Sequence, residues 1–447
     1  MSSPCNADCT ISHRKMRAKP IDDCFRRDLN DKLPLSHDQV IRQLRTRIQP
    51  AAGTASFGLT DAGGRICAED IIATCAVPRH NNSAVDGYAF ALESLKPDSP
   101  AELHIAARAV AGRPAECAIR QGEAARIFTG AVLPEGCDTV AMQEDCALCS
   151  SKYPEIYDAV RVPIGLRQGA NIRKAGEDVC EGDILLKAGD IIRAQDIAGL
   201  ASIGLSSVTC FAPVRIAIIS SGDEIVRGGA ASSARGQVYD ANAPMLLGLA
   251  AAMGASVTDL GVLPDCPDTV KKALQDAARN FDLILTSGGA SEGEEDHMAG
   301  AIEALGMRHF WHISVKPGRP LMFGQIGSTL IVGLPGNPVA AFVCFLMYAH
   351  PMIRRLGGAA WPEPRRFTLP AAFDVTQRKT GRREFWRGIT REEGGVRVVD
   401  KFARDGSGLI SSLRAADGLI DVPENLVSVR RGDRVRFIPF SEFAIGV

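Results

Sequence analysis

Three apolar runs in the second half of the chain, VRIAIIS, FDLILT and STLIVG, each stop at a polar turn that carries glycine: SGDE, SGGASEGEED and LPGNP. Helical patterns stand between or after them, notably PMLLGLAAAMGA and DTVKKALQDAARN. Strands alternating with helices specify an α/β layer with a mainly parallel sheet. Ligands in such sheets collect at the carboxyl ends of the strands. All three polar turns fall there.

The remaining chain reads differently. SHDQVIRQLRTRI at 36–48 has helical spacing, with Val40, Leu44 and Ile48 on one side and Ser36 as N-cap. Residues 59–90 are rich in turns. The stretch 101–165 alternates short apolar runs with Gly and Pro turns, which predicts a small all-β unit. GEDVCEGDILLKAGDII predicts two short strands, and AQDIAGLASIGL a helix. From about residue 364, runs such as GVRVVD and DRVRFIPF alternate again and predict a small β domain. A chain of 447 residues is long for one core and should divide into three or four domains. The first thirty or so residues are polar and lack the apolar core of a signal peptide, so a mobile tail is expected. The apolar run Val339 to Ala349 is too short to span a bilayer and reads as a buried helix.

A formal charge of −1 argues against general nucleic-acid binding, so any anion site must arise from local arrangement. Thirteen scattered cysteines fit the reduced thiols of a cytosol. Cys146 and Cys149 form a CxxC with no second pair, and read as incidental.

The turns carry the chemistry. In TSGGASEGEED, Gly288 and Gly293 have the spacing of a P-loop, but Glu294 stands where its lysine must be. Two readings remain. The acids can simply complement a helix dipole. Alternatively, Ser287 to Ser291, through Gly288 and Gly289, wrap a phosphate while Asp296, with Glu294 or Glu295, holds Mg²⁺, which takes one or two carboxylates plus phosphate oxygens. SSGDEI brings Asp223 and Glu224 to the same sheet edge. In VLPDCPD, either Asp268 caps a helix and Asp265 is solvated, or Asp265 joins the site. KPGRP holds Lys316 and Arg319 around a rigid turn suited to an oxyanion. In GLPGNPVAAF, which includes Gly336, Asn337 can cap, Pro338 suits the first helical position, and exposed N–H groups make an anion site. Asp86 before Gly87, and Thr129 in RIFTG, read locally as turn residues.

NNSAVDGYA, RIFTGAVLPEGCDTVAMQED, RKAGEDV, SSGDEI, GQVYDAN, SGGASEGEED, KPGRP and GLPGNPVAAF occur in an order that resembles the molybdopterin molybdenumtransferase family, which includes bacterial MoeA proteins and the E domain of gephyrin. The resemblance runs from about Leu35 to the C-terminus. It implies an elongated α/β plus β multidomain subunit, with a three-layer α/β molybdopterin-binding-like domain, an inserted β-rich domain and a C-terminal β-barrel-like domain. The boundaries expected are a tail at 1–33, a discontinuous helical and linker domain at 34–78 and 162–212, the insert at 79–161, the α/β domain at 213–358 and the β domain at 359–447.

The reaction implied is insertion of molybdate into adenylylated molybdopterin, with Mg²⁺-dependent release of AMP. A cytoplasmic homodimer with a site shared between subunits is implied, together with contacts to other cofactor-biosynthesis proteins and none to nucleic acid or membrane. By matching position, Asp265, Asp296 and Glu224 resemble the metal-side acids. Ser287, Gly288, Gly289 and Ser291 resemble the phosphate turn, with Gly336 and Asn337 also at the substrate. Lys316, Arg319 and Pro320, with Arg387 and Ser407, resemble the oxyanion side. Asp86, Thr129 and Asp178 are similar to residues that a partner subunit brings to the cleft. Ala340 for serine, His312 for lysine and Glu292 in the Gly-rich turn depart from the pattern. Competing expectations are a molybdopterin adenylyltransferase, a non-catalytic gephyrin-like scaffold and a generic sugar- or nucleotide-phosphate enzyme.

Overall fold

The computed structural model describes residues 34–95, 99–150, 157–229, 235–288 and 297–444. The predicted tail at 1–33 lies outside them. The chain divides into two compact units, the second made of Asp70–Lys187 and Arg193–Ser207 and the first of the sequence around it.

In the first unit, helix α1 (His37–Arg47) starts at Ser36 in a capping box: the Ser36 hydroxyl accepts from the Gln39 N–H, and the Gln39 side chain accepts from the Ser36 N–H. Val40, Leu44 and Ile48 are buried as the spacing predicts. A six-stranded sheet runs β2 (Ser256–Leu263), β1 (Arg215–Ser221), β3 (Leu283–Ser287), β6 (Thr329–Leu334), β5 (Met322–Ile326), β4 (Met307–Trp311). The first four are parallel, and the last two close the sheet antiparallel. Alternate residues of the parallel strands feed two cores. Ile216, Ile218, Leu283, Leu285, Leu330 and Val332 face a core shared with α2 (Asn242–Ala252) and α5 (Pro338–Leu356). Ala217, Ile219, Ile284 and Ile331 face the opposite core, shared with α3 (Pro267–Asn280) and α4 (His297–Leu305). Burial on both faces explains why these strands are apolar throughout.

Helix α5 extends the expected 339–349 helix to Leu356 and contains a π turn at Phe345–Ala349. It is long and apolar enough to cross a membrane by length and composition, but 89% of it is buried within the fold. Of the two readings left open for VLPDCPD, the one with Asp268 as cap does not hold. The N-cap of α3 is Cys266, not Asp268, because Pro267 takes the first helical position and leaves Asp268 inside the first turn.

The C-terminal sheet runs Val315–Lys316, Arg383–Glu393, Gly418–Val422, Arg434–Pro439, Phe367–Pro370, with Val396–Lys401 paired to the long second strand. The parallel register Val315↔Arg383 and Lys316↔Glu384 carries the KPGRP turn from the α/β sheet onto this one. In the second unit a six-stranded sheet runs Thr139–Met142, Gly87–Phe90, Glu123–Ile127, Ala101–Ala109, Tyr157–Val162, Ala147–Ser150. This is the β unit predicted for 101–165, joined by the DGYAF strand. The helix predicted on AQDIAGLASIGL, 194–205, is present as Ala194–Ser202, while the two strands expected in 176–192 reduce to Ile184–Leu186 and single bridges at Val179 and Ile191.

Candidate functional site

The registers Ser220↔Ser287 and Ser287↔Leu334 end β1, β3 and β6 at one level, so their three turns share one edge. There the Asp265 carboxylate accepts from the Ser221 hydroxyl and from the Asp223 N–H, both at 3.3 Å, while the Asp265 N–H donates to Asp223 at 3.0 Å. Gly288 follows β3 at φ +85°, and a Cβ on it would stand 2.4 Å from the Ser221 carbonyl oxygen. Only glycine lets the chain leave β3 this close to the residue that holds Asp265. Glu224 is exposed on the same turn as Asp223. Gly289, Ser291, Glu292, Glu294, Glu295 and Asp296 lie outside the described residues. Among the described ones no group of three His, Cys, Asp or Glu side chains gathers in metal-binding geometry.

Asn242, at the start of α2, joins the other two turns. Its amide nitrogen donates to the Ser287 hydroxyl and to the Gly336 carbonyl, both at 2.7 Å. Asp240 accepts from the Asn242 and Ala243 N–H groups at 3.0 Å, and its other oxygen takes the Ser220 hydroxyl at 2.5 Å. Sequence reasoning quoted GQVYDAN as a motif but assigned neither residue. The signal was a polar Asp-Ala-Asn ahead of an apolar helix. Asn242→Ala would take the amide donor from the buried Ser287 hydroxyl and from the Gly336 carbonyl, which is on an exposed residue, at about 1–3 kcal/mol, mostly from the buried partner. The expected result is a lower urea midpoint and a raised substrate KM; unchanged values for both would mean Asn242 does not tie the turns.

Two local findings bear on the oxyanion side. Asn337 occupies the N-cap position of α5 as expected, but its side chain makes no capping bond, and one N–H of the helix start, that of Val339, donates to the Ser407 carbonyl at 2.9 Å. Ser407 is therefore bound to the helix start. Arg387 is 5% exposed; its Nε donates to the Ser412 hydroxyl at 3.1 Å and one terminal nitrogen to the carbonyls of Arg404 at 3.2 Å and Gly406 at 3.4 Å. Burial lowers its pKa. The cause is strand register: Arg387 pairs with Leu419 in mid-sheet, so it braces the 404–407 loop from behind.

Lys316, by contrast, is half exposed, with its ammonium 3.5 Å from Glu384. Arg319 is exposed and Pro320 half-buried beside it. The intervening Gly318, at φ +112°, packs so tightly on α5 that a Cβ would meet the Cys344 sulfur at 2.2 Å. Ala340 is buried in the same helix.

In the second unit, antiparallel pairing of Gly87 with Ile127 sets Asp86 beside the turn after the next strand. The Asp86 carboxylate accepts from both the Thr129 N–H and the Thr129 hydroxyl at 2.8 Å. The Thr129 amide, then its hydroxyl, hold the Asp86 carboxyl below the usual range. These two residues, assigned together by resemblance, are in direct contact. Asp178 is exposed, and its N–H donates to Val77.

The family model of the MoeA N-terminal region (domain I and II) matches residues 35–204. That of a probable molybdopterin binding domain matches 217–355, and that of the MoeA C-terminal region (domain IV) matches 368–440. A molybdopterin molybdenumtransferase of Haemophilus influenzae is 35% identical over 410 residues, 91% of this chain and 99% of its own. Molybdopterin molybdenumtransferase 2 of Mycobacterium tuberculosis is 30% identical over 410 residues, 90% and 97% of the two chains. The crystal structure of a molybdopterin biosynthesis MoeA protein from Pyrococcus horikoshii superposes with a TM-score of 0.76 at 27% identity, covering 91% of this chain and 100% of that one.

Proposed function

The chain belongs to the molybdopterin molybdenumtransferase family along 91% of its length, and on that premise we propose that it inserts molybdate into adenylylated molybdopterin, with release of AMP, in molybdenum cofactor biosynthesis. The observation that carries the reading is a hydrogen-bonded seam with one break. It runs from Ser287 through Asn242 to Gly336, and resumes two residues beyond Asn337 from Val339 to Ser407. This seam supports one pocket, with a phosphate-binding turn at one end and an oxyanion loop at the other.

Roles follow from the chemistry. Ser287 and Gly288, with Gly289 and Ser291, are assigned to the pterin phosphates. Lys316 and Arg319 concentrate molybdate by charge, and Ser407 and Pro320 shape its place. Arg387 acts through the 404–407 loop it braces. Asp265, with Asp296 and Glu224, is assigned to Mg²⁺. The Asp265 and Asp223 carboxylates and the Ser221 hydroxyl are hard oxygen donors of the kind Mg²⁺ takes, which supports the fit. When bound, the ion supplies Lewis-acid polarisation of the phosphoanhydride. The reading extends to a cytoplasmic homodimer of elongated, four-domain subunits, with a barrel-like C-terminal domain and Asp86, Thr129 and Asp178 contributed across the dimer.

The test mixes the full chain, adenylylated molybdopterin, Mg²⁺ and molybdate. AMP release that requires molybdate and yields active cofactor is the expected result. AMP release indifferent to molybdate, or ATP-dependent adenylylation of molybdopterin by the pure protein, would overturn the assignment.

A further inference from the structure

On the face of the C-terminal sheet lies a cavity of about 380 Å³ that shares Lys316 with the site above, while its other lining residues have no role assigned there. Its walls carry five cationic side chains, Lys316, Arg378, Lys379, Arg382 and Lys401, against two carboxylates, Glu384 and Asp405. Both carboxylates are already engaged. Glu384 is buried and accepts the Trp386 indole N–H at 2.7 Å, with the Lys316 ammonium and the Arg378 guanidinium each 3.5 Å away. Asp405 pairs with Lys401 at 2.7 Å. Burial acts to raise the Asp405 carboxyl, but Lys401, Lys316 and Arg387 outweigh it and hold it low.

Arg378 is buried at 5% exposure and fixed by the carbonyls of Pro423 at 2.8 Å and Arg382 at 2.6 Å and by that of Leu426, yet its Nε makes no hydrogen bond. Lys379 and Arg382 have no acidic partner among the described residues. A concave wall with excess positive charge, including two cations with no acidic partner among the described residues, attracts anions strongly.

We propose that this cavity binds a doubly charged tetrahedral oxyanion and lies next to the insertion site as a loading chamber. It deepens the reading above, and rests on that reading only for which oxyanion arrives: free molybdate, or the phosphate ester of the pterin substrate. Lys316 borders both places, so an anion held by Lys379 and Arg382 can pass to the KPGRP turn without leaving positive potential.

The experiment titrates the full chain with sodium molybdate and, separately, with methyl phosphate, by calorimetry at low ionic strength. Three proteins are compared: the parent, K379Q/R382Q, and K271Q/K272Q, which removes the same charge from an exposed part of α3. Losing two charge-assisted contacts should weaken binding about tenfold or more in K379Q/R382Q, with the α3 variant matching the parent. A loss confined to molybdate identifies the free oxyanion, and one confined to methyl phosphate identifies the ester. Parental affinity for both in K379Q/R382Q, or an equal loss in the α3 variant, overturns the chamber. If the parent shows no molybdate-dependent AMP release, the enzymatic reading fails, while the binding comparison still decides the chamber.

Discussion

Asp265→Asn should slow AMP release by ~10²–10³, the usual loss when one charged contact is removed from a site of developing charge, and leave the thermal transition near the parent's. The two halves of this expectation have separate causes. Structurally, Asp265 is half-buried in a loop, and both bonds its carboxylate accepts are long at 3.3 Å. Ser221 and the Asp223 N–H donate to different carboxylate oxygens. Asparagine keeps its oxygen for the Asp223 N–H and turns its NH2 to the Ser221 hydroxyl, which can accept as well as donate, so little is lost. Chemically, the change removes one of the negative charges at the strand edge, where a divalent cation would sit beside the phosphate turn. The measurement is single-turnover AMP release at saturating adenylylated molybdopterin, repeated over a range of Mg²⁺. A right-shifted Mg²⁺ dependence with a reduced plateau is expected, and Asp296→Asn should behave alike. If Asp265→Asn releases AMP at the parental rate, the acids at this edge do not serve a metal.

The sequence was most informative where structure is local. The helix at 36–48 was legible because its cap, its apolar stripe and its terminus sit within thirteen residues. The three strand-ending turns were legible because a strand buried on both faces must be apolar and must stop at something polar. What escaped was set at long range. Asn242 joins partners 45 and 94 residues away, so nothing near it announces that role. Arg387 was assigned by resemblance alone, and no pattern within REFWRG signals that the residue is buried in a strand paired with 418–422. The α5 N-terminus illustrates the same limit. Its capping residues were correctly placed, but the carbonyl that takes its N–H comes from Ser407, in a loop supplied by another sheet. Cys266 for Asp268 was a local miss, since Pro267 was visible and by itself favours the residue before it as cap.

Asp421→Asn should cost about 3–5 kcal/mol of stability in the first unit, the range for breaking one side of a buried ion pair. Asp421 is fully buried on the strand Gly418–Val422. Its carboxylate accepts two bonds from the Arg383 guanidinium, at 2.6 and 2.8 Å, and one from Arg366 at 2.7 Å. Burial acts to raise its pKa, and the bonds and charges of Arg383 and Arg366 overcome that, for a net lowering. A depressed folded pKa fixes the sign of the pH effect. The contribution is present above the ordinary carboxylate range and is lost only as pH falls through the lower folded value, so the variant's deficit should be constant from pH 6 to 8.

Asparagine cannot match the charge, and the buried Arg383 is left with the longer pairings to Asp38 at 3.6 Å and Glu424 at 3.7 Å, beside His37, whose pKa burial and Arg383 already lower to about 4. Arg366 can turn to water, because a quarter of its side chain is exposed. The loss therefore belongs mainly to the Arg383 pair. Arg383→Met combined with Asp421→Leu should be much less harmful than Asp421→Asn alone, since a buried pair replaced by apolar side chains often costs little. Urea midpoints of the four corners of that cycle, followed by Trp386 fluorescence, measure the coupling directly. An Asp421→Asn variant within about 1 kcal/mol of the parent would mean that water reaches this pair and that the C-terminal sheet is held by its apolar core alone.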